Sequence, residues 1–98
     1  MHPNIVASSM NLTGSANIKS GPGIIYSVTV IWDSSSNEFL LRDGTTVSGP
    51  VIFTGRRAAL AVSGDETQHF IFPGGLKCSV GIAYIRINAI PNATVTYW

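Results

Sequence analysis

Charge is scarce in this 98-residue chain. Asp, Glu, Lys and Arg together make up 11% of it, less than half the roughly 25% of an ordinary soluble domain. The net charge is +1, with no long run of either sign, so the basic stripe of a nucleic-acid-binding domain is missing. So few charges leave a free surface weakly protected against association. Coverage by partner subunits would explain the shortage; so would solvation by Ser, Thr, Asn and Gly. Cysteine is nearly absent, and the single Cys78 excludes an intrachain disulfide framework. A domain this small, without disulfides or a metal, must be held by packing or by oligomerisation. Long hydrophobic runs are also missing. The strongest, GIIYSVTVIW, is too short and too polar to span a bilayer as a helix. The opening MHPNIVASSM lacks the basic and apolar regions of a secretory signal. The expectation is a protein made and used in a cytosol, or carried on a particle built there.

A helical stripe is missing too. No window holds apolar residues at i, i+3, i+4 and i+7, and the helix-prone RRAALAV is closed early by Ser63-Gly64. Alternation of period two is present instead. In IIYSVTVIWD, Ile24, Tyr26, Val28, Val30 and Trp32 form a uniformly apolar set, predicted to face a core. Ile25, Ser27, Thr29 and Ile31 take the other face. EFLLR, VIF, AALAV, QHFIF, VGIAYIRIN and ATVTYW read as further short strands. Asp43-Gly44 alone would make a two-residue hairpin, but Pro50 disfavours a central strand so soon after it. One loop from Asp43 to Pro50 is therefore expected, with a strand resuming at Val51. Short strands separated by frequent turn signals predict one all-β domain over residues 1–98, a sandwich or barrel without a long helix.

The candidate chemistry is sparse. Cys78 follows Lys77, and a cation can activate a thiol, yet no second cysteine or suitably spaced histidine accompanies it. It reads as a small buried hydrophobe. His2 and His69 have no ligand spacing. Asp33–Glu38 and Gly64–Thr67 offer oxygen ligands but not the calcium-loop pattern, and read as polar turns. Asn11-Leu12-Thr13 and Asn92-Ala93-Thr94 are formal glycosylation sequons that carry no weight without a secretory signal. No Gly-rich segment leads from a strand into a helix to cradle phosphate. The acidic residues are scattered. No catalytic residue, cofactor or metal is expected.

The order of the strand segments carries a resemblance. YSVTV, then LLRDGTTVSGPVIF, then FPGGLKCSVGIAYIRI, then TVTYW resembles the small all-β structural proteins of tailed bacteriophages. There a strand enters an Asp-Gly-Thr loop ending in Gly, a Pro-Gly-Gly kink precedes a Gly-aromatic strand, and an aromatic strand follows. Residues 1–23 fall outside the match and are expected to hold a docking arm plus the first strands. The resemblance implies a jelly-roll-like sandwich of about eight short, mostly antiparallel strands. It also implies a non-enzymatic capsid decoration, or cement, protein on the virion surface. The expected partner is a major capsid protein or another virion protein, with a homo-oligomer, a trimer favoured, and no direct nucleic-acid or membrane contact. Ile5, Val6, Arg56, Arg57, Tyr97 and Trp98 are the expected interface residues, Trp, Tyr and Arg being enriched where interfaces hold most strongly. The alternative is a sugar- or receptor-binding fibre module that stacks its ligand on Trp32, Tyr84, Tyr97 and Trp98. The Pro73-Gly74-Gly75 kink is expected to turn a ribbon between two sheets, with at least one glycine at positive φ.

Overall fold

The computed structural model describes residues 7–32, 38–45, 49–57, 66–87, 90 and 92–98. Every regular element among them is a strand: β1 (Ser8–Leu12), β2 (Ala16–Ser20), β3 (Gly23–Trp32), β4 (Glu38–Asp43), β5 (Val51–Arg56), β6 (Glu66–Cys78), β7 (Gly81–Arg86) and β8 (Asn92–Tyr97). β4 and β5 flank the expected loop, and the N–H of Asp43 donates to the Pro50 carbonyl at 2.9 Å to close it. The expected AALAV strand lies outside the described residues.

The pairings β1·β8, β2·β7, β3·β6 and β4·β5 are all antiparallel. They make one long ribbon, folded at the β4–β5 connection, with the two halves of the chain side by side. Rolling that ribbon brings β8 against β3 and β7 against β4. The result is two four-stranded sheets, ordered β1-β8-β3-β6 and β2-β7-β4-β5. This is the jelly-roll sandwich.

The expected faces of β3 hold for only half of the strand. Val28, Val30 and Trp32 are fully buried, but before them it is Ile25 that is buried, while Ile24 and Tyr26 are half-buried on the outer face. The register gives the reason. From Ile25 to Ser27, β3 advances two residues while β8 advances one, from Tyr97 to Thr96. Tyr26 is a bulge, and a single extra residue exchanges the faces of everything before it.

The same step accommodates the Pro-Gly-Gly segment. Ile25 pairs with Leu76 and Ser27 with Ile71, so Phe72–Gly75 is looped out opposite the Tyr26 bulge. Gly74 and Gly75 both adopt positive φ, 81° and 85°, as expected of at least one of them. The role expected of the kink is corrected. β6 runs through it within one sheet, and the chain crosses to the other sheet later, at Ser79-Val80. The Pro73 ring and the two glycines are tolerated because β6 is an edge strand.

The core is built around Phe39. Its ring lies 5.2 Å from Phe70, 5.7 Å from Tyr84, and 6.1 Å from both Trp32 and Phe53, centroid to centroid. Gly55 faces it in register, and a side chain there would collide with the Phe39 ring. The Trp32 indole N–H donates to Gln68 Oε1 at 2.9 Å, so the largest core side chain buries no unpaired donor. In β7, residues Gly81–Tyr84 are all buried, although strand alternation puts Ile82 and Tyr84 on the opposite face from Ala83.

Candidate interaction surface

The Asp-Gly-Thr loop is a structural clamp. Asp43 ends β4 beside the corner where β6 passes to β7. Its carboxylate accepts the backbone N–H groups of Ser79 (2.9 Å), Val80 (2.8 Å) and Gly81 (3.2 Å). The Ser79 and Val80 bonds, with a smaller contribution from Gly81, hold the Asp43 carboxyl below its ordinary pKa. The Gly44 N–H donates to the Gly81 carbonyl at 3.1 Å, and Asn17 Nδ2 donates to the Thr45 carbonyl. Arg42 Nη1 donates to the Gly49 carbonyl at 2.7 Å. The Asp-Gly-Thr loop thus braces one of the corners at which the chain passes from one sheet to the other.

The expected interface residues do not gather into one patch. Ile5 and Val6 lie outside the described residues. Arg56 is exposed at the end of β5, with its Nε 3.8 Å from Glu38 Oε1, and Arg57 follows it, half-buried. Tyr97 is half-buried against the core. Trp98 is 49% exposed, and its N–H and C=O both bond Ile24, each at 2.8 Å. Glu38, beside Arg56, begins β4. Asp43 ends it, and bonds Ser79 next to the Trp98 groove. The arginines and Trp98 therefore sit at opposite ends of the sandwich.

Trp98 borders a groove of about 480 Å³ with Pro22, Gly23, Ile24, Lys77, Cys78 and Ser79. Lys19 Nζ stands 5.9 Å from the Trp98 ring centroid, within cation–π range. Cys78 is 3% exposed; burial, aided by the Asp43 charge, pushes its thiol pKa up to about 11. A thiol so held is protonated near neutrality and a poor nucleophile. Of the four aromatics proposed for sugar stacking, Trp32 and Tyr84 are core residues, and only Trp98 presents a substantially open ring. Lys19 was not singled out in the sequence, and Ile24 was expected in the core instead of on this groove. The Tyr26 bulge that exposes Ile24 has no signature in strand alternation.

The outer face of the β1-β8-β3-β6 sheet is uniform in another way. Asn11, Thr94, Thr29 and His69 form one row across all four strands, and Ser9, Thr96, Ser27 and Ile71 the next. Neither row contains a formal carboxylate, lysine or arginine. Asn11 and Asn92, the two sequon asparagines, bond each other through their amides at 2.7 and 3.0 Å. His69 Nδ1 meets Thr29 Oγ1 at 3.0 Å.

Among the described residues, no three His, Cys, Asp or Glu side chains converge as a metal site, and no helix is long and apolar enough to cross a membrane. Of the two acidic turns, residues 33–37 and 64–65 lie outside the described residues. Comparison with known protein families, with curated proteins and with solved structures finds no match to this chain.

Proposed function

We propose that this chain is a non-enzymatic structural protein of a bacteriophage virion, a decoration protein that reinforces the head by bridging capsid subunits. One observation carries the reading. The polar side chains around the Asp-Gly-Thr signature are engaged in holding corners and ladders, instead of converging on a cleft. Asp43 clamps the β6–β7 corner, and Arg42 and Asn17 tie down the β4–β5 loop. Such a module acts mechanically. Many copies spread modest contacts over the joints of a shell, and multivalency makes the sum strong. Scarce charge favours self-association, and the resemblance implies a trimer. The fold itself hosts many functions and is no argument by itself.

The test is co-purification. Intact particles are expected to carry the protein at a fixed ratio to the major capsid protein through a density gradient. Absence from purified particles, with the protein remaining in the soluble fraction, overturns the reading.

A further inference from the structure

An open strand edge is a template for another strand, because it presents a row of unpaired N–H and C=O groups. Among the described residues, the two sheets end in four such edges, β1 and β6 in one, β2 and β5 in the other. Three are guarded. β6 carries the Pro73-Gly74-Gly75 insertion, and Lys77 beyond it. β2 breaks register between Asn17 and Lys19, the latter a charge on the edge. β5 follows Pro50, breaks register against Leu41 and Arg42, and ends on Arg56. β1 has no such guard. Its residues are Ser-Ser-Met-Asn-Leu, and its register runs unbroken from Ser8 opposite Tyr97 to Leu12 opposite Ala93. Among the described residues, β8 is its only strand partner.

We propose that β1 pairs antiparallel with β1 of a second copy about a two-fold axis, joining two four-stranded sheets into one of eight strands. The strand's own composition specifies that partner. Antiparallel pairing of identical strands uses the same edge on both sides and closes after two subunits. Five uncharged residues bring no like charges together, and the adjoining rows through Ser9 and Asn11 add none. Serine and asparagine side chains both donate and accept hydrogen bonds, so a copy can complement a copy. This two-fold contact replaces the trimer implied by the resemblance. It does not rest on the virion reading: dimerisation and presence in particles are measured separately.

Sedimentation equilibrium and native mass spectrometry of the intact chain test it. The expected species has twice the 10.4 kDa chain mass. Amide exchange within Ser8–Leu12 is expected to slow as concentration rises, because outward N–H groups become bonded. Ser9→Lys places a typical edge guard at the seam and is expected to raise the dimer Kd by about 10-fold or more. Thr54→Lys, on the already guarded β5, is expected to leave the dimer unchanged. Should Ser9→Lys lose its β-sheet circular dichroism, Ser8→Lys, on the exposed start of the same strand, takes its place. Monomer at the highest soluble concentration, a dimer indifferent to the β1 lysine, or unchanged exchange in β1 overturns the pairing. A trimer overturns it in favour of the three-fold assembly.

Discussion

Tyr84 is nearly completely buried, and its hydroxyl has no hydrogen-bond partner among the described residues. Burial pushes its pKa up to about 12, so it is a neutral phenol at any ordinary pH. An unsatisfied buried hydroxyl costs about 1–3 kcal/mol. Tyr84→Phe keeps the ring contact with Phe39 and removes that cost. It is expected to be neutral or to raise stability by about 1 kcal/mol, read from the urea midpoint at constant m. The two kink glycines separate in the same assay. Gly74 at φ 81° has open space around it, whereas a side chain on Gly75 would meet Ile24. Gly74→Ala is expected to cost about 1–3 kcal/mol from backbone strain alone, and Gly75→Ala clearly more. Equal losses would show that Ile24 yields without cost.

At the scale of elements, the β6–β7 corner depends on one carboxylate. The folded pKa of Asp43 is depressed, so its contribution is present above the ordinary carboxylate pKa, near 3.9. It is lost as pH falls through the depressed folded value, where the bare backbone N–H groups lose their charged acceptor. Asp43→Asn is expected to lower the melting temperature at pH 7. The gap between variant and parent should narrow as the buffer is taken below about pH 4. A gap of constant size from pH 7 to pH 2 would mean that the clamp works through shape and not charge. The corner also shows what local signals convey. Asp43-Gly44 reads as turn chemistry in the sequence, and it is a turn, but its carboxylate serves a different turn more than thirty residues away.

At the scale of the molecule, the ribbon topology pairs the earliest described strand with the last. Ser8 stands opposite Tyr97, and β8 then separates β1 from β3. Non-local pairing of this kind must close long loops before any contact rewards it. Refolding of the monomer from denaturant is expected in milliseconds to seconds, followed by stopped-flow fluorescence of Trp32 as it enters the core; completion within microseconds would contradict the topology.

The sequence by itself determined that the chain is all β, roughly where β3, β4, β7 and β8 begin and end, that the Pro-Gly-Gly segment needs left-handed backbone, and that Cys78 is a core residue. These follow from local physics: alternation, β-branching, proline's missing donor and glycine's freedom act within a few residues. Tertiary structure alone decided which strands neighbour one another, that Tyr26 bulges and exchanges Ile24 for Ile25 in the core, that the kink stays within β6, and that Asp43 caps a distant corner. It also set Arg56 and Trp98 at opposite ends and, among the described residues, left β1 as the one unguarded edge. Each depends on register between segments far apart in the chain, and register is chosen by the packing of the whole sandwich.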